Sequence, residues 1–242
     1  MAWEIISYPV FQSQSDWYNQ RLPDNGPVYT ETNTDNLIVE PWNAVSSLLI
    51  IIPAIYWMLR IRKDFGNFKF LFYCIFLMFI CGTGSTLYHA LRASKFFLYM
   101  DILPAATITL SISIYFWIKV FKKWWYVLFV IIPSLFTRSL FFRYLPQHTA
   151  INVSYAISGI ITALPLVIIL FKTGFYKVNY VIITIVLFIL ALIFREIDAT
   201  QISFLPMGTH FLWHVFSGFG AYYILAYLYH FRKREIIRFG SS

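Results

Sequence analysis

Seven apolar runs, each near the roughly 20 residues needed to cross about 30 Å of hydrocarbon, decide what this chain can become. They fall near residues 41–60, 69–91, 97–118, 124–144, 150–171, 178–196 and 209–231. A backbone inside lipid must satisfy its own hydrogen bonds, so runs of this length read as helices. The expected fold is an all-α membrane protein, a seven-transmembrane helix bundle. The fourth and fifth runs are the least separable, because Arg138 and Arg143 interrupt the first of them and Pro146 follows it. Only 12% of the residues are charged, against about 25% in soluble domains.

The 19 Lys and Arg residues orient the bundle through the positive-inside bias. Thirteen fall on one side: Arg60, Arg62, Lys63, Lys69, Lys119, Lys122, Lys123, Lys172, Lys177, Arg232, Lys233, Arg234 and Arg238. Six fall on the other: Arg21, Arg92, Lys95, Arg138, Arg143 and Arg195. The N-terminus is expected outside and the C-terminus in the cytoplasm. Three regions follow: an acidic extramembrane segment over 1–40, a seven-helix domain over 41–231, and a basic cytoplasmic tail over 232–242. The net charge of +8 is read as this loop bias, since no basic stretch is set in a nucleic-acid-binding module. Cys74 and Cys81, seven apart on one expected helix, lie too far apart along it to bridge each other. No basic-then-apolar leader opens the sequence, so targeting is assigned to the first span. The expected location is a multi-pass integral one, in a bacterial inner membrane or an ER/Golgi-type membrane.

Imidazoles in apolar spans are costly and point to function. Ser85 and His89 are four apart, as are His210 and His214, so each pair shares a helix face. The expected topology brings the end of helix 2 and the starts of helices 3 and 7 to the same outer surface. His89, Ser85, Asp101, His210 and His214 then lie at similar depth. Three neutral imidazoles plus an open position make the ligand set of a catalytic zinc site. Asp101 would take a proton from water or orient a histidine, and Ser85 would donate to a developing oxyanion.

Each of these residues has a plainer reading taken singly. His89 suits a lipid interface, Ser85 helix packing, and Asp101 an ion pair with Lys95 or Arg92. Arg195, Glu196 and Asp198 read as a local ion-pair cluster, and His148 and His230 as surface residues. Gly82, Gly84, Ser111, Ser113, Ser158, Gly159, Ser217, Gly218 and Gly220 read as points of close helix approach.

At these residues the sequence resembles the alkaline ceramidases, within a superfamily of seven-helix membrane hydrolases that includes the adiponectin-type receptors and a GPI-lipid remodelling enzyme. The matching pieces are Glu40-Pro41-Trp42-Asn43-Ala44-Val45-Ser46, Gly82-Thr83-Gly84-Ser85 through His89, Asp101-Ile102-Leu103-Pro104, and His210 through His214 followed by Ser217-Gly218-Phe219-Gly220. They span the chain from about residue 40 onward. The resemblance implies zinc on His89, His210 and His214, with Ser85 and Asp101 beside it, and hydrolysis of ceramide or a related sphingolipid amide to a sphingoid base and a fatty acid. It also implies calcium on the acidic segment, for which Asp24, Glu31, Asn33 and Glu40 are the oxygen-bearing candidates. The Asp-Trp pair expected shortly before Glu31 is missing, and Asp16-Trp17 is the nearest such pair. The expected partners are a ceramide-like lipid and the bilayer, with no nucleic acid. The alternatives are hydrolysis of another acyl lipid, of ester or GPI type, and a zinc-containing receptor or sensor.

Overall fold

The computed structural model describes residues 22–200 and 205–239. These contain no β-strand and form seven long helices: α1 (Pro41–Ile61), α2 (Lys69–Leu91), α3 (Lys95–Phe121), α4 (Leu128–Tyr144), α5 (Gln147–Thr173), α6 (Val178–Ala199) and α7 (His210–Phe239). Single 3₁₀ turns, Phe65–Phe68 and Trp124–Val127, lead into α2 and α4. Seven helical segments are long and apolar enough to cross a membrane. The fourth and fifth runs separate at Leu145-Pro146, where the extended backbone at Leu145 ends α4 and Pro146 precedes α5.

The last helix differs from the expected boundary, running on through the basic run to Phe239. Glu235 explains this, because it pairs with Lys119 at 2.6 Å and with Arg232 at 3.3 Å, so the polar turns stay anchored to α3.

Helix α1 packs between α2 and α7, α3 packs between α2 and α5, α6 lies against α7, and α4 lies against α5; α5 and α6 touch only sparsely. Two glycines set the closest approaches. A Cβ on Gly84 would stand 2.5 Å from the Met100 carbonyl carbon, and one on Gly218 would stand 2.6 Å from the Leu49 carbonyl oxygen. Gly82 and Gly220 also lie against neighbouring helices, but Gly159 faces open space and is not a packing point. Ser111 meets Tyr73, and Ser113 reaches the Ile161 carbonyl, whereas Ser158 bonds back to Ser154 within its own helix.

The apolar core gathers at one end of the bundle, around Trp57, Leu71, Ile75, Phe116, Leu225 and Tyr227. Buried polar side chains gather at the other, where α2 ends and α3 and α7 begin. Large apolar side chains such as Ile52, Phe129, Phe136, Ile160 and Phe171 cover the outer surface, far more apolar exposure than a water-soluble monomer shows.

Candidate metal centre

The local chain path explains why the histidines meet. Gly84 lets α2 lie against Met100, which brings Ser85 and His89 beside the start of α3. Gly218 draws α7 against α1. The i,i+4 spacing then stacks His210 and His214 on one face, opposite His89. His89, His210 and His214 are all buried, and each offers a ring nitrogen within 4.8 Å of the other two. Ring centroids are 4.8 Å apart for His89–His214 and for His210–His214, and 5.3 Å for His89–His210. Among the described residues, this trio is the cluster of His, Cys, Asp and Glu side chains that could hold an ion.

Outer partners set the tautomers. His89 Nδ1 donates to Glu40 Oε2. His214 Nδ1 lies 3.0 Å from the Asn43 carbonyl, Ser46 Oγ and Ser47 Oγ. A carbonyl only accepts, so His214 carries its hydrogen on Nδ1 and keeps the Nε2 lone pair for a ligand. Asn43, Ser46 and Ser47 form one polar face on an otherwise apolar α1, at i, i+3 and i+4.

His210 is held differently. Tyr29 stacks on its ring at 3.9 Å, its main-chain N–H donates to Asp198 Oδ1 at 3.2 Å, and its buried Nδ1 has no hydrogen-bond partner. Three buried imidazoles, one with an orphaned nitrogen, are expensive unless an ion satisfies them. The donor set therefore fits a divalent metal, and three neutral nitrogens are compatible with zinc without selecting it over other transition metals.

Ser85 and Asp101 adjoin the trio. Ser85 Oγ lies 3.0 Å from Ser47 Oγ, which in turn contacts His214. Asp101 stands beside Ser85 and within electrostatic reach of His89. Its main-chain carbonyl accepts from Cys81 Sγ at 3.2 Å.

The described part of the acidic segment is strapped over this end. Val39 and Glu40 N–H groups donate to the Ala90 and His89 carbonyls, at 3.0 and 3.1 Å, closing two of the open acceptors at the end of α2. Glu31 reaches the start of α1 and accepts from the Trp42 and Asn43 N–H groups, as the positive end of a helix dipole favours. Burial nevertheless pushes Glu31 above the usual carboxylate range, against the pull of those two amides. Burial would raise Glu40 too, but His89, Arg92 and Thr32 together hold it below that range.

The four oxygen side chains proposed for calcium do not converge. Asp24 and Glu40 both bind Arg92, Glu31 caps α1, and Asn33 Oδ1 accepts from the Asp35 N–H in an exposed turn. Asp16-Trp17 lies outside the described residues. Arg195, Glu196 and Asp198 do not pair with one another either. Arg195 donates to Asn152 Oδ1, Glu196 accepts from Asn152 Nδ2 at 2.5 Å and meets His148 at 3.2 Å, and Asp198 caps α7 through Thr209 N–H at 2.7 Å. His148 thus contacts Glu196 and Asn152, and His230 stacks on Tyr180.

Sequence reasoning gave Tyr29, Arg92, Asp198 and Ser47 no part in the centre and read Glu40 only as an oxygen ligand, whereas the structure pairs Glu40 with His89 and Arg92. The polar triplet 43/46/47 was the available signal. If Glu40 orients a metal ligand, Glu40→Gln is expected to weaken zinc affinity about 10–100-fold, measured by competition with a chromophoric chelator. An unchanged affinity would remove Glu40 from the centre. Comparison with models of known protein families finds no match for this chain, and comparison with curated proteins finds none.

Proposed function

We propose that this chain is a zinc-dependent membrane hydrolase that cleaves the amide of ceramide or a related sphingolipid, as its resemblance to the alkaline ceramidases implies. In this reading the N-terminus and the histidine end face outward, and the C-terminus faces the cytoplasm. One observation carries the reading: three buried imidazoles offer ring nitrogens within 4.8 Å of one another, and an acid and a hydroxyl stand next to them.

Zinc, when bound, makes water acidic near neutral pH and polarises the acyl carbonyl. His89, His210 and His214 would hold it, oriented by Glu40, by Tyr29, and by the Asn43–Ser46–Ser47 face. Glu40 already takes the His89 Nδ1 hydrogen, and α1 takes that of His214. Asp101 is therefore free to act as base. It accepts the proton that water loses as its oxygen adds to the acyl carbon, and returns it to the amine nitrogen as the C–N bond breaks. Ser85 donates toward the carbonyl oxygen as negative charge grows there. Beyond the contacts of Asn152 with Arg195 and Glu196 and of His148 with Glu196, the sparse packing between α5 and α6 supports lateral entry of a lipid from the bilayer.

The test is incubation of the purified, zinc-loaded protein with a panel of ceramides and glycerolipid esters, with fatty-acid release read by mass spectrometry. Release from ceramide that stops on chelation and returns with zinc is expected. Intact ceramides alongside cleaved esters would move the assignment to another acyl lipid, and no cleavage of either would end the hydrolase reading.

A further inference from the structure

One side chain ties the extramembrane segment to the centre. Arg92 ends α2 in the left-handed region, at φ 47, which side-chain-bearing residues enter rarely. From there its guanidinium turns back under the segment. Nε donates to Asp24 Oδ2 at 2.7 Å, Nη2 donates to Asp24 Oδ1 at 3.2 Å and to the Pro27 carbonyl at 2.9 Å, and Nη1 donates to Glu40 Oε1. Tyr88 and Tyr29 lie against the guanidinium at 4.6 and 5.7 Å. Arg92, Asp24 and Glu40 are all buried. Gly26 passes so close to Tyr88 that a Cβ there would stand 2.0 Å from the phenol oxygen.

Two buried carboxylates brought together need a positive charge between them. The family resemblance would supply calcium, whose oxygen ligands must approach to about 2.3–2.6 Å. Here every one of those oxygens already accepts. Asp24 Oδ1 takes the Gly26 N–H at 2.8 Å as well as Arg92, and Asp24 Oδ2 takes Arg92 Nε. Glu40 Oε1 takes Thr32 Oγ1 at 2.5 Å as well as Arg92, and Glu40 Oε2 takes His89. Calcium does not fit this arrangement, whereas a planar guanidinium with five donors does.

We propose that Arg92 is a built-in replacement for calcium, locking the extramembrane segment onto the bundle and, through Glu40 and His89, holding the metal centre in shape. The relay runs Asp24–Arg92–Glu40–His89. Its last link rests on the reading of the histidine trio as a metal site; the lock itself does not.

The experiment uses the full chain in detergent, in calcium-free buffer and in millimolar calcium. It reads the melting midpoint, hydrogen exchange of the amides of residues 24–40, and zinc affinity by chelator competition. The wild type should show the same midpoint and the same exchange protection in both buffers. Arg92→Ala should lose protection over 24–40 and bind zinc about 10–100-fold more weakly. With its two carboxylates uncovered, it should also regain protection when calcium is added. Arg92→Lys keeps the charge without the fork and should fall between the two. Asp24→Asn, which keeps Arg92 on Glu40, should loosen the segment with less effect on zinc, and these two variants carry the test if Arg92→Ala fails to fold. Calcium raising the wild-type midpoint, or Arg92→Ala and Arg92→Lys both matching the wild type in protection and zinc affinity, would overturn the proposal. A wild type that binds no zinc but keeps calcium-independent protection would sink the metal reading and leave the lock standing.

Discussion

Under the proposed function, replacing His214 with alanine is expected to abolish zinc binding and lipid hydrolysis together. The ring is buried against α1 with its Nδ1 fixed, and among the described residues no fourth His, Cys, Asp or Glu is grouped with the trio to replace it. A bound metal's Lewis acidity is worth several kcal/mol, and each 1.4 kcal/mol or so is tenfold in rate. The loss should therefore reach about 10³-fold or more. Elemental analysis beside a hydrolysis assay checks both halves. His230→Ala, which removes a ring stacked on Tyr180 in the cytoplasmic part of α7 under the proposed orientation, should change neither. Retention of stoichiometric zinc by the His214 variant would dissolve the proposed centre, whatever happened to activity.

Asp101→Asn separates chemistry from metal binding. Its carboxylate is not among the grouped ligand atoms, and the hydrogen on His89 Nδ1 goes to Glu40 instead. Loss of a general base costs about 10²–10⁴-fold, so turnover should fall by that factor while zinc content stays whole. A variant that lost its zinc in proportion to its activity would recast Asp101 as a residue that orients a ligand. One that kept full turnover would remove it from the reaction.

The spans and the histidine trio were legible because both are written locally. A run of about 20 apolar residues admits few structures in lipid, and an i,i+4 pair of imidazoles announces a shared face without knowledge of the rest. Asp101 followed from topology, since α3 must begin where α2 ends. The supporting residues were not legible in the same way. Glu40 and His89 lie 49 positions apart, and Arg92 and Asp24 lie 68 apart; which carboxylate meets which cation depends on how the segment before α1 crosses the bundle. The resemblance implied calcium on that segment, and composition shows its negative charge but not the arginine that arrives from the end of α2. Asp198 was grouped with its sequence neighbours for a similar reason. Its partners, Thr209 and Thr30, come from the next loop and from the distant segment.

The division of the bundle into an apolar end and a polar end bears on how the molecule comes apart. Side chains interlocked around Trp57, Phe116 and Tyr227 should open only when the entire fold opens, whereas the histidine end depends on directional bonds and, on the proposed reading, on a bound ion. Stripping the ion should then produce partial, reversible fraying. Amides near Tyr29, Glu40 and Thr209 would exchange with solvent deuterium early, while those near Ile75 and Leu225 would keep the slow rates of the intact protein.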